Sequence, residues 1–131
     1  ADEADITYKD IVAMEQKLEG ANVSGNITFI ASPYAKATLK TTAIGGTKSD
    51  VRMLMDSGEV DGYPVLVTNG MAKKGLILGN FNDLVIGQWG GIDLTVDPYT
   101  QAANGKIRLV VNAYFDAKPQ RAASFVKKVL K

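Results

Sequence analysis

The chain contains neither cysteine nor histidine. Disulfides, thiolate and imidazole metal ligands, cysteine nucleophiles and histidine acid–base chemistry are therefore excluded. An enzyme would be left with Ser, Asp and Lys chemistry. Gly45-Gly46-Thr47-Lys48-Ser49 has the residue types of a phosphate cradle, but that motif needs Gly-Lys-Ser/Thr in direct succession, in a loop leading from a strand into a helix. Here Thr47 intervenes and a helical pattern precedes, so the stretch reads as a surface loop. Asp93 and Asp97 sit at even spacing on one strand face and could act as paired acid and base. Nothing in the sequence gives them a pocket or a metal partner, and a solvated sheet face accounts for them. Ser32 before Pro33 lacks the surroundings of a nucleophile elbow and suits a helix cap. Asn22-Val23-Ser24 and Asn26-Ile27-Thr28 fit the glycosylation triplet, which matters only in a secreted protein. Trp89, Tyr99 and Tyr114 could form a stacking platform for a sugar or a base. They lie in separate segments without interleaved basic residues, and packing in a core or a subunit interface explains them better. No catalytic, cofactor-binding or metal-binding residue is expected, and a small aromatic-lined binding module stays open as an alternative.

The elements that would position these residues follow from local patterns. Thr7 with Asp10 three residues on approximates a capping box, and Ile11, Met14 and Leu18 follow at helical spacing up to Gly20. Ile27-Thr28-Phe29-Ile30-Ala31 has the composition of a central strand, and Ser32-Pro33 switches the chain into a second helix. Residues 41–49 fade into a loop, Asp56-Ser57-Gly58 turns, and Tyr63-Pro64-Val65-Leu66-Val67 and Leu76-Ile77-Leu78 read as strands. From residue 84 the grammar is strand and turn. Ile92, Leu94 and Val96 alternate with Asp93, Thr95 and Asp97, after a Gly90-Gly91 break or bulge. Ile107, Leu109 and Val111 share a face opposite Lys106, Arg108 and Asn112, with Val110 interrupting. The Asn104-Gly105 turn between these strands predicts a projecting hairpin over 92–116, broken at Lys118-Pro119. Ala122, Phe125, Val126, Val129 and Leu130 could dock as a short closing helix or an extended tail.

A chain of 131 residues fits a single domain with a real core. Fifteen basic and 14 acidic residues leave a formal charge of +1, so no field gathers nucleic acid or an anionic membrane. No apolar run approaches the roughly 18 residues of a membrane span, and residues 1–5 do not resemble a secretory leader. The expectation is an intracellular chain with no membrane or specific nucleic-acid partner.

Several stretches, in order, resemble the C-terminal part of tailed-bacteriophage major capsid proteins, whose fold encapsulins share. They are Phe29-Ile30-Ala31-Ser32-Pro33, Gly62-Tyr63-Pro64-Val65, Leu76-Ile77-Leu78-Gly79-Asn80-Phe81, the Trp89-Gly90-Gly91 and Val96-Asp97-Pro98-Tyr99 words, and Asp116 followed by Ala123-Ser124-Phe125-Val126. The resemblance implies an α+β fold: the axial domain, a mixed β-sheet with flanking helices, plus a β-hairpin of the peripheral domain. It implies a structural subunit that self-assembles into the pentamers and hexamers of an icosahedral head, without enzymatic activity or cofactor. An encapsulin-like compartment shell is the alternative within the fold. By order along the chain, Ile44, Gly45, Gly46, Thr47 and Lys48 would lie in the loop at the capsomer axis. Pro98, Tyr99, Asn104 and Gly105 would form the tip of the peripheral hairpin. Other capsid subunits are the implied partners, with a scaffold or head protease engaging an N-terminal part. The implied location is the virion capsid, after the host cytoplasm. Members of the family are usually far longer, with an N-terminal arm, an extended loop and a spine helix, so a C-terminal fragment able to fold without building a shell is expected. The hairpin strands should then show an apolar face around 92–96 and 107–111 that lacks its neighbours.

Overall fold

The computed structural model describes residues 6–45 and 52–131. They fall into two compact units, Ala1–Asp83 with Arg121–Lys131, and Leu84–Gln120.

The first unit begins with α1, Tyr8–Gly20. At its start the Asp10 carboxylate accepts from the Thr7 backbone N–H at 3.0 Å and from the Thr7 hydroxyl at 2.9 Å. The acidic half of the expected capping box is therefore made, and it places a negative charge at the positive end of the helix. Helix α2, Pro33–Thr41, starts where Ser32-Pro33 predicts. The Ser32 hydroxyl accepts from Ala35 N–H at 3.1 Å. Between and after the helices run β1 (Ile27–Ala31), β2 (Met55–Asp56), β3 (Glu59–Val60), β4 (Tyr63–Val67), β5 (Gly75–Asn80) and β8 (Phe125–Val129). They form one mixed sheet in the order β2-β3-β4-β1-β5-β8, with β1 parallel to β4 and antiparallel to β5. β1 is thus central, as its apolar composition predicts. Two-residue turns join β2 to β3 and β3 to β4. Positive φ at Ser57 and Gly58, then at Asp61 and Gly62, gives both the backbone twist that tight hairpins require.

Phe29 and Ala31 face the same side as their register partners Leu78 and Leu76. Against that side lie Ile11, Met14 and Leu18 of α1 and Ala35 and Leu39 of α2, all in one buried cluster. The neighbouring row, Ile30 with Leu66 and Ile77, points to the opposite side, which is why β1 does not alternate polar with apolar.

For residues 122–130 the structure selects the extended alternative over the helical one. A 3-10 turn, Ala122–Ser124, leads into β8, which pairs antiparallel with β5. A Cβ on Gly79 would stand 2.5 Å from the Ser124 carbonyl oxygen and 2.6 Å from the Phe125 ring, so glycine is what admits β8 to the sheet. Phe81 and Phe125 then meet edge to face, centroids 5.3 Å apart, and the buried Ser124 hydroxyl donates to Asp83.

The second unit is an antiparallel pair, β6 (Leu84–Asp97) and β7 (Arg108–Pro119). The Gly90-Gly91 stretch bulges without ending the strand: register shifts between Trp89 and Asp93, and Gly90 takes φ +67°. The break expected at Lys118-Pro119 comes only after both residues, since β7 stops at Pro119. Those residues pair with Val85 and Leu84, and in a two-stranded sheet every strand is an edge that tolerates proline's missing N–H.

Candidate functional site

Residues with possible chemistry occupy structural roles. Ser32 is fully buried; besides capping α2, its hydroxyl donates to the Lys73 carbonyl at 2.7 Å. Asp93 and Asp97 share a face with Asn112 and Arg108 opposite them. Asp97 holds the loop that follows, accepting from Tyr99 N–H at 2.9 Å and Thr100 N–H at 3.2 Å and from the Thr100 hydroxyl. The Thr100 hydroxyl, then those amides, lower its pKa and favour the ionised form. Among the described residues no group of His, Cys, Asp or Glu is placed to hold a metal ion.

The aromatic trio is only partly assembled. Trp89 and Tyr114 are cross-strand partners. The Trp89 indole lies back over Gly87, within 3.5 Å of where a Cβ would be, and a shallow pocket forms from Val85, Gly87, Trp89, Asp116 and Lys118. Tyr99 stands apart in the β6–β7 loop.

The hairpin is two-faced. Alternation along β7 and the register with β6 put Ile86, Leu94, Val96, Leu109, Val111 and Phe115 on one side. The other side carries Asp93, Thr95, Asp97, Arg108, Asn112, Asp116 and Lys118, with Val85, Val110, Trp89 and Tyr114 among them. Each of those six apolar side chains is between 54% and 68% exposed. A contiguous apolar face on a two-stranded sheet is unstable in water by itself and marks a contact surface. Pro98, Tyr99, Asn104 and Gly105 all lie in the exposed loop joining the strands. Gly105 has φ +63° and caps the short 102–104 turn.

Of the five residues expected at an axial loop, Gly46, Thr47 and Lys48 lie outside the described residues. Ile44 is half-buried against the core, and Gly45 is exposed. The loop base is narrow: Ala43 bridges Met53, Ile44 N–H donates to the Arg52 carbonyl at 2.9 Å, and Leu54 N–H to the Thr42 carbonyl at 2.9 Å.

Sequence reasoning missed a carboxylate cluster. Glu15 on α1 faces Asp61 in the β3–β4 turn. Burial first, then Asp61 and Glu19, push its pKa up to about 7, and its Oε1 is buried without a hydrogen-bond partner among the described residues. Tyr8 donates its hydroxyl to Asp61 at 3.1 Å. The signal was unreadable because Asp61 is brought there by two tight turns, 46 positions away in sequence.

Comparison with known proteins gives a consistent picture. The family model described as the phage capsid family matches residues 1–130. The major capsid protein of Halomonas phage phiHAP-1 is 28% identical over 119 residues, covering 90% of this chain and 19% of that protein. Among solved structures, Mycobacterium phage Che8 aligns with a TM-score of 0.69 at 14% identity, over 97% of this chain and 49% of that one. The virus-like particle from Pyrococcus furiosus aligns at 0.64 and 16% identity, over 97% and 53%. The structural likenesses establish the fold, α+β with a mixed sheet, two helices and a hairpin. The chain spans only part of the length of each of these relatives.

Proposed function

Because this chain belongs to the phage capsid family, we propose that it acts as a structural subunit of a phage or prophage head, building pentamers and hexamers of an icosahedral shell by self-association. The observation that carries this is the uncovered apolar face of the hairpin, Ile86, Leu94, Val96, Leu109, Val111 and Phe115. A surface of this kind is stable only when another surface covers it, which suits a protein that works by repeated contact. In this reading the hairpin belongs to the peripheral domain, with Pro98, Tyr99, Asn104 and Gly105 at its tip near three-fold contacts. The loop containing Ile44, Gly45, Gly46, Thr47 and Lys48 faces the capsomer axis. The role is structural rather than enzymatic. A scaffold and a head protease would act on the protein before it takes its place in the virion, and the host cytoplasm is where assembly starts. The curated relative, a phage major capsid protein, favours a head over an encapsulin-like compartment. The uncovered hairpin disfavours a self-contained ligand-binding module.

Electron microscopy of the protein expressed from its full natural reading frame tests the reading. Closed shells or ring-shaped capsomers are expected; a persistent monomer under assembly conditions would overturn it.

A further inference from the structure

The strand order β2-β3-β4-β1-β5-β8 places β2 and β8 at opposite edges of the six-stranded sheet, and charge segregates the same way. At the β2–β3 end Asp56, Glu59 and Asp61 are exposed and line a groove of about 390 Å³ in which Arg52 is the one described cation. Glu19 adds to the negative field there, since it bears on the same cluster as Asp61. At the far edge β8 contributes Lys127, exposed, and Lys128, which the Asp10 carboxylate engages at 2.7 Å. The Lys73-Lys74 pair runs beside it, because Leu130 N–H donates to the Lys74 carbonyl at 2.9 Å. The Lys74 ammonium is held over the Tyr34 ring, 5.1 Å from its centroid. Among the described residues β8 pairs only with β5, which makes it an edge strand of this sheet.

Either edge brought against its own copy would oppose like charges. Acidic edge against basic edge opposes unlike charges, and a contact between two different surfaces propagates from copy to copy and closes into a ring when the rotation permits. We infer that the β2–β3 end of one copy receives the β8 edge of a second copy, with Asp56, Glu59 and Asp61 facing Lys127 and Lys73. The inference deepens the shell-subunit reading and rests on it for the need of repeated copies. Exposed pairs of this kind add little binding strength individually. Their work is to steer the approach and to fix which edge meets which.

The test uses the protein expressed from its full natural reading frame, with exposed residues substituted so that the fold is kept, as checked by circular dichroism. Asp56→Lys with Glu59→Lys, and separately Lys73→Glu with Lys127→Glu, should each lower the yield of capsomers by about tenfold or more. Combining both pairs in one chain should restore it. Mixing the two singly reversed proteins should restore rings of even number only, since the two kinds of copy must alternate. Undiminished yield in each variant, or no rescue in the combined one, overturns the inference while leaving the shell function standing. If the unsubstituted protein forms no particles, the shell reading fails, and the contact is then judged on this chain by sedimentation velocity. Self-association that weakens between about 50 and about 500 mM NaCl and is lost in either reversed variant supports it. Absence of such association overturns it.

Discussion

At the scale of single residues, Gly79 and Glu15 show how differently sequence and structure speak. Gly79 sits in a word, Leu78-Gly79-Asn80-Phe81, whose reason is visible only in three dimensions: β8 crosses so close that any side chain meets the Ser124 carbonyl. Gly79→Ala should cost about 2–4 kcal/mol, read as a lower urea midpoint with an unchanged slope. Asn80 completes the corner, donating to the Ser24 carbonyl at 2.8 Å and accepting from Asn82 N–H at 3.1 Å. Two stretches far apart in sequence, 76–81 and 123–126, are thus one packing unit. Glu15 left no trace in the sequence, being one of two glutamates on α1. Its pKa of about 7, against the ordinary 4.5, means the fold favours the protonated form. The stability this brings is complete below about pH 4.5 and is lost as pH rises through about 7. Glu15→Gln should therefore raise stability by about 1–3 kcal/mol at pH 8 and leave it unchanged at pH 4, as followed by thermal melts across pH.

At the scale of elements, the local signals with a steric cause were legible. Ser32-Pro33 starts α2 where its cap chemistry dictates, and the alternation of 92–97 and 107–112 by itself gives both faces of the hairpin. The closing segment was not decidable, because Ala122, Phe125, Val126, Val129 and Leu130 fit a helix face or a docked tail. The free edge of β5 and the missing side chain of Gly79 decide it, and both are tertiary facts. The extent of β6 was also hidden, since a Gly-Gly pair marks a break as readily as a bulge. For the candidate contact surface, the apolar face was readable; the acidic groove was not, because it depends on the Ser57-Gly58 and Asp61-Gly62 turns stacking β2, β3 and β4. Replacing Leu94 and Val111 together by Thr keeps strand propensity while removing apolar surface from the exposed face. Unfolding free energy should change by less than about 0.5 kcal/mol, while particle yield should fall by about tenfold, a separation checked by denaturant titration beside electron microscopy.

At the scale of the whole molecule, the first unit is a sheet whose edges come from distant parts of the chain. β5 is flanked by β1 on one side and by β8 on the other, and β8 follows only after the whole of Leu84–Gln120. Asp10 and Lys128 tie the first helix to that last strand across 118 positions, and Leu130 and Val126 pack with the core. Such non-local closure is slow compared with helix formation. During synthesis at about 5–20 residues per second, the ribosome spends a few seconds making the hairpin while β5 waits with one side bare. Only when residues 121–131 emerge can the sheet be finished, and the same strand carries Lys127 to the surface. Lys127 consequently takes its place only when the chain's own sheet can close, so under the proposed pairing of edges the order of synthesis holds a copy back until it is able to fold.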